Sequence, residues 1–247
     1  MNICCISHGL SSSDIILIIT AAILLLTLIA IQYGNVENAR MNRLQSAQNA
    51  IIKQMDYHNN LVKGISIHLA LAGRGYGEPN MPNIATGQDA FEIFYDILKQ
   101  KYITMPGNTY KSNDDMDAEE RRMQDSFTAL YREHGSKFGN YFKNLYSLIN
   151  YIDDKDIKGF EKDYYIGLIK SQLSKYEILL LAYDCICFKD EKPQGKNFIE
   201  FAKKYDLLSA LETDELIDSS AVSAVKHIDI FTNRHGITFG NTREFTN

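Results

Sequence analysis

Tryptophan is absent from the 247-residue chain, and proline and cysteine each occur only four times. The missing tryptophan excludes nothing. With so little proline, 45% apolar and 23% charged residues, wholesale disorder is excluded, because disordered chains are poor in apolar residues and rich in charge. Positive charge is also short: 26 Lys and Arg stand against 31 Asp and Glu, for a net charge of −5 and a pI near 5.7. That balance removes the whole-protein electrostatic case for nucleic-acid binding. The cysteines fall in two close pairs, Cys4/Cys5 and Cys185/Cys187. Neighbours this near do not bridge without strain, and the spacing is not a zinc pattern, so a reducing compartment fits. The length allows one or two domains. A mean hydropathy of −0.24 hides an asymmetry, because residues 1–33 are far more apolar than the rest.

Ile15 to Ile31 carries no charged residue. As a helix this run rises about 26 Å, enough to span the hydrocarbon core at the short end of the range. Ser11 to Ser13, Gln32 and Tyr33 extend it into the interfaces, and Asp14 is placed to cap it. Thr20 and Thr27 can return their hydroxyls to the helix backbone, and Thr20, Ala22 and Thr27 are small or polar points where one such helix can meet another. A cleaved signal peptide is disfavoured, since residues 1–14 hold no Lys or Arg and the run ends in bulky Ile31-Gln32-Tyr33. Arg40, Arg43 and Lys53 follow the run, so the positive-inside rule puts residues 34–247 in the cytoplasm and the N-terminus outside.

The expected organisation is all-α, with one N-terminal transmembrane helix followed by a cytoplasmic multi-helix domain. Residues 1–14 form a short non-cytoplasmic N-terminus, 15–33 the transmembrane helix, 34–72 a juxtamembrane helix or stalk, 73–212 a helical domain and 213–247 a tail with a last helix. A heptad seam runs through Met41, Leu44, Ile51, Met55, Val62, Ile65 and Leu69, interrupted by Gln48 and His58. It suits either a helix packed on its own domain or a stalk pairing with copies of itself. Gly73 to Gly77 reads as a turn, since no strand, following helix or Gly-Lys-Ser/Thr makes it a phosphate loop. Helices are expected over 88–102, 127–133, 137–152 and 160–172, with Asp114 to Glu120 and the following Arg121 and Arg122 as a solvated helix start. Ser174-Lys175-Tyr176-Glu177 is a capping box that predicts a break at Leu173–Ser174 and a buried helix to about Phe188. A loop over 189–195, a helix over 198–211 and a last helix capped by Asp218 or Ser219 and running to Phe231 complete the reading. No alternating strand pattern is visible.

Chemistry-bearing motifs are scarce. The six histidines are scattered without metal-ligand spacing, and no G-x-S-x-G nucleophile signal is present. HEPN-type ribonucleases carry R-x4–6-H, and here Arg132-x-His134 and Arg234-His235 are too close. The expectation is therefore no catalytic set, no metal and no cofactor. What remains is a set of polar residues within apolar helices: Tyr141, Lys143 and Tyr146 in one, Lys170, Gln172, Ser174, Glu177 and Tyr183 in the next pair. A buried Lys needs a carboxylate, and Glu177, Asp184 and the tyrosine hydroxyls are the expected partners. Such a set either fixes helix packing or forms a ligand or trigger pocket.

Three strings in order, Gly139 to Asp153, Tyr164 to Tyr183 and Phe201 to Leu208, resemble the phage abortive infection (AbiC-like) proteins. Gly87-Gln88-Asp89-Ala90-Phe91-x-x-x-Tyr95 is similar to that family's start, so the resemblance covers residues 55–212. The family tends to Arg where this chain has Lys143 and Lys170, and to Asn where it has Asp184; Lys cannot make Arg's bidentate fork, which weakens any anion clamp here. The resemblance implies an anti-phage effector of the bacterial inner membrane with an N-terminal membrane segment and a cytoplasmic helical domain that senses infection; the one apolar run makes this chain single-pass, whereas related retron-associated effectors look two-spanned. The expected partners are the lipid bilayer, further copies of the chain because one helix cannot enclose a pore, and a phage protein or neighbouring defence component, while the charge balance speaks against direct nucleic-acid binding. A membrane-tethered nuclease-like enzyme and a non-catalytic subunit of a retron-type defence complex are the alternatives.

Overall fold

In the computed structural model of the chain, residues 11–68, 84–105, 116–154, 159–187, 193–218 and 223–239 are described. The apolar run and the residues after it form one helix, α1 (Ser12–Gly64). The Ser11 amide donates to Asp14 Oδ2 at 3.0 Å and the Asp14 amide to Ser11 Oγ at 3.3 Å, a reciprocal capping box. Ser11 therefore caps the helix, and Asp14 answers from the first turn. Thr20 and Thr27 donate to the carbonyls of Ile16 (2.8 Å) and Ile23 (2.7 Å), so both hydroxyls are satisfied within the helix. Every apolar side chain from Ile15 to Ile31 is exposed, and the segment is long and apolar enough to cross a membrane.

The chain divides into two units, Met1–Ala50 and Ile51–Asn247. Within the second, Ile51, Met55, His58 and Val62 of α1 are buried, at the four- and three-residue steps that share one helix face. This half of the heptad seam packs in its own unit, whereas Met41 is exposed and Leu44 half-buried. The helix stops at Gly64, earlier than its lack of proline suggests, and Leu69 and Gly73 to Gly77 lie outside the described residues. An antiparallel ribbon follows, β1 (Ser66–His68) against β2 (Ile84–Thr86), with Ile67 opposite Ala85 and both buried. The expectation of no strands fails here because three residues with one inward side chain are too few to display a period of two.

Helix α2 (Gln88–Thr104) buries Phe91, Phe94, Tyr95 and Leu98, which helical spacing puts on one face, together with Tyr102. Its entry turns on Gly87, at φ 62° and ψ −132°, a region closed to other residues, where the Gly87 amide reaches Ile65 O at 2.9 Å. Helix α3 (Met116–Asp154) is continuous, where two helices are expected on either side of Gly135. That glycine and Gly139 do not break the helix. They make room for Tyr131: a Cβ on Gly135 would stand 2.8 Å from its ring and one on Gly139 2.6 Å from its hydroxyl. Nor is the start of α3 solvated, because Glu119, Glu120 and Arg122 are buried.

Helix α4 (Gly159–Gln172) gives way to α5 (Lys175–Cys187) at the predicted capping box: the Ser174 amide donates to Glu177 Oε2 at 2.7 Å and the Glu177 amide to Ser174 Oγ at 3.3 Å. All residues of α5 from Glu177 to Cys187 are buried, so this helix, packed against α2 and α3, is the centre of the core. Cys185 and Cys187 are buried free thiols, as small apolar residues would be.

Helix α6 (Pro193–Lys204) starts and ends earlier than expected. It opens on proline, whose missing amide costs nothing in the first turn. It closes in a Schellman turn, with Leu207 N bonded to Ala202 O at 3.0 Å, Asp206 N to Lys203 O at 3.3 Å, and Asp206 at φ 52°. The expected last helix starts late: α7 is His227–Asp229 and runs into a π-helical turn, Ile230–Arg234. Of the two proposed caps, Asp218 is not adjacent to it and Ser219 lies outside the described residues.

Candidate functional site

The polar residues singled out in the sequence do not form one network. Lys143 is exposed. Lys170 is half-buried and meets no carboxylate; its ammonium donates to Asp206 O at 2.7 Å and Ser209 Oγ at 3.2 Å, neutralising the carbonyl end of α6. Tyr146 donates to Asp184 and lies 4.2 Å, centroid to centroid, from Phe198. Tyr183 belongs to a separate buried chain. Ile217 N–H donates to its hydroxyl at 2.9 Å, Tyr183 O–H bonds His227 Nδ1 at 2.8 Å, and His227 Nε2–H bonds Glu119 Oε1 at 3.0 Å. Tyr102 donates to the same Glu119 oxygen, and Arg122 lies 3.3 Å from Glu119 Oε2. Burial holds His227 below its ordinary value and therefore neutral, against the pull of Glu119. Burial opposes ionisation of Glu119 as well, but hydrogen bonds from His227 and Tyr102 outweigh it and keep the carboxyl below its usual range. The Tyr183, His227 and Tyr102 protons each have an acceptor, and the members are buried, so the network ties the C-terminal segment to α2, α3 and α5.

The remaining residues, Tyr141, Gln172, Ser174 and Glu177, gather at or beside one cleft. It has a volume of about 320 Å³ and is lined by His58, Asn59, Lys63, Gln88, Asp89 and Glu177 among others. Its floor is built from helix ends. His58 comes from the last buried turn region of α1, Gln88 and Asp89 open α2, and Glu177 sits in the first turn of α5. The Gln88 side chain donates to Gln172 O at 3.0 Å, joining α2 to the end of α4. His58 packs on Tyr141 with ring centroids 4.6 Å apart, and Tyr141 on Phe91 at 4.8 Å. Asn144 Oδ1 lies 3.1 Å from His58 Nδ1. Because that oxygen only accepts, Nδ1 carries the proton and Nε2 presents its lone pair. Nε2 has no hydrogen-bond partner.

Burial lowers the His58 imidazole below its ordinary value, so it stays neutral. Burial also raises the Glu177 carboxyl, although the hydrogen bonds with Ser174 pull the other way. The Tyr141 hydroxyl is fully buried, feels the Glu177 carboxylate and is pushed well above its ordinary value. It has no partner at ordinary hydrogen-bond geometry. The cleft thus sets the Asp89 and Glu177 carboxylates beside an imidazole lone pair that no donor meets.

His58 and Asn144 are the members that sequence reading does not select. The signal for His58 is its intrusion into the stripe Ile51, Met55, Val62, where a polar residue on an apolar face marks a partner to be found. Glu119 and Arg122 have a similar signal, since they continue the stripe of Met123, Ser126, Phe127 and Leu130. Among the described residues, no group of three or more His, Cys, Asp or Glu could hold a metal ion.

This is a predominantly helical protein with a long apolar N-terminal helix and a polar cleft at converging helix ends. Residues 133–216, from the second half of α3 through the turn at Thr213–Glu215, match the family model described as "Putative phage abortive infection protein". The match is narrower than the 55–212 of the resemblance and ends four residues later. It connects the helical unit with phage defence in general. Neither a curated protein nor a solved structure matches the chain significantly.

Proposed function

We propose that the chain is a membrane-anchored phage-defence effector that acts on the bacterial inner membrane and performs no catalysis. The match of residues 133–216 to the abortive infection family carries the defence assignment. The uncovered apolar face of Ile15–Ile31 supports the anchor, since that many exposed Ile and Leu side chains are stable only in lipid or under a partner. Arg40, Arg43 and Lys53 on the C-terminal side favour a cytoplasmic helical unit. On infection, by a phage component or through a neighbouring protein, the helical unit changes state and the anchors assemble.

One helix cannot enclose a pore, so the mechanism needs several copies. Thr20 and Thr27 spend their hydroxyls on the carbonyls of Ile16 and Ile23. Contact between copies therefore rests on close approach at Ala22 and Thr27 rather than on interhelical hydrogen bonds. Ala22→Leu with Thr27→Leu keeps the segment apolar and fills that contact. The doubly substituted protein is expected to fractionate with the membrane and to confer no phage protection. Plating efficiency like that of the unmodified protein would remove assembly through the span.

A further inference from the structure

We propose that the cleft beside His58 binds a primary ammonium group, carried by a small amine or by a free polypeptide N-terminus. The proposal rests on the helical unit changing state on infection, takes this cleft as the pocket where that change begins, and concerns binding alone. His58 is 4% exposed and lines the cleft with an Nε2 lone pair that meets no donor. Its Nδ1–H is committed to Asn144 at 3.1 Å, and burial keeps the ring neutral, so Nε2 stays an acceptor. A buried acceptor in this state is completed by an incoming N–H or O–H.

The charges around it select the kind of donor. Glu177 and Asp89 face the same cleft, from α5 and α2. Asp89 stands in the first turn of α2 and balances the positive end of that helix. Glu177 does the same for α5 through its capping box, yet its carboxyl remains hard to ionise because it is buried. A cation arriving there relieves that penalty. From α3 the facing group is the Tyr141 hydroxyl, which carries no charge, and from α1 it is Lys63, whose exposed ammonium is solvated. An anion would meet two carboxylates, and a second positive charge would meet Lys63. A divalent metal is not favoured, because among the described residues no three His, Cys, Asp or Glu side chains converge to hold one. A quaternary ammonium wants an aromatic cage and offers no N–H for His58. A primary ammonium offers three N–H groups: one for His58 Nε2 and two for the carboxylates.

The test is calorimetric titration of the full chain in detergent micelles. The probes are n-butylammonium, tetramethylammonium, and the peptide Ala-Leu-Ala amide with a free or an acetylated N-terminus. Butylammonium or the free-amine peptide is expected to bind, while tetramethylammonium and the acetylated peptide do not. Tighter binding of the free-amine peptide identifies a polypeptide N-terminus as the source, and butylammonium binding at least as tightly identifies a small amine. Asp89→Asn, at an exposed position, should weaken binding about tenfold, as loss of one charge-assisted hydrogen bond does. His58→Phe keeps the ring on Tyr141 and should abolish binding, while lowering the melting temperature only by the loss of the Asn144 bond. No binding of either amine at millimolar concentration overturns the proposal, as does equal binding of tetramethylammonium or wild-type affinity in Asp89→Asn. Phage is absent from this experiment, so its failure leaves the defence role to be judged separately.

Discussion

Glu119→Gln should destabilise the helical unit by about 3–5 kcal/mol, the cost of removing one member of a buried ion pair. The substitution keeps size and shape. Gln can still accept from Tyr102 and His227, but its amide turns a donor toward Arg122, whose side chain is only 2% exposed and 3.3 Å from the carboxylate. Domains have about 5–15 kcal/mol in total, so the loss amounts to about a fifth or more of ordinary stability. Adding Arg122→Met should recover most of it, because the strongly unfavourable state is one charge without the other, and apolar replacement of both is often neutral. Urea unfolding of the full chain in detergent, followed by near-ultraviolet circular dichroism of the 15 tyrosines, measures both variants. A single substitution within 1 kcal/mol of the unmodified chain, by the ordinary scale of surface changes, would show that this pair does not hold the C-terminal segment.

Ile23→Arg with Leu26→Arg should release the protein from the membrane and abolish phage protection. Each arginine near the centre of a spanning helix opposes insertion by about 2.5–3.5 kcal/mol, so the pair costs about 5–7 kcal/mol. Both positions are exposed, at 57% and 66%, so the substitutions remove no packing contact within the chain. The helical unit should therefore keep its fold while the protein moves to the soluble fraction. Fractionation and plating on the same cultures check this. Full protection by the soluble protein would separate defence from the anchor.

Local signals were the ones that read correctly from sequence. The capping box at Ser174 and Glu177 needs only four residues and recurs in the structure atom for atom. The face of Phe91, Phe94, Tyr95 and Leu98 likewise settles α2, because helical spacing is a property of the segment alone. Errors arose where a distant residue decides. Gly135 looks like a break until Tyr131 is seen lying across it. The end of α6 hides because Asp206, and not glycine, takes the left-handed position. Glu119 and Arg122 look like a solvated helix start, and only His227, 108 residues away, shows them to be interior. The cleft was half legible: Glu177, Ser174 and Gln172 stood out on one helix junction. His58 and Asn144 meet across 86 residues, beyond the reach of any local pattern.

The most direct measurement is membrane potential during phage challenge, in cells carrying the intact chain or one lacking residues 1–33. Intact chain should collapse the potential after infection and block plaque formation, and the shortened chain should do neither. Protection by the shortened chain, or protection by the intact chain with the potential maintained, would contradict a defence exerted through the membrane.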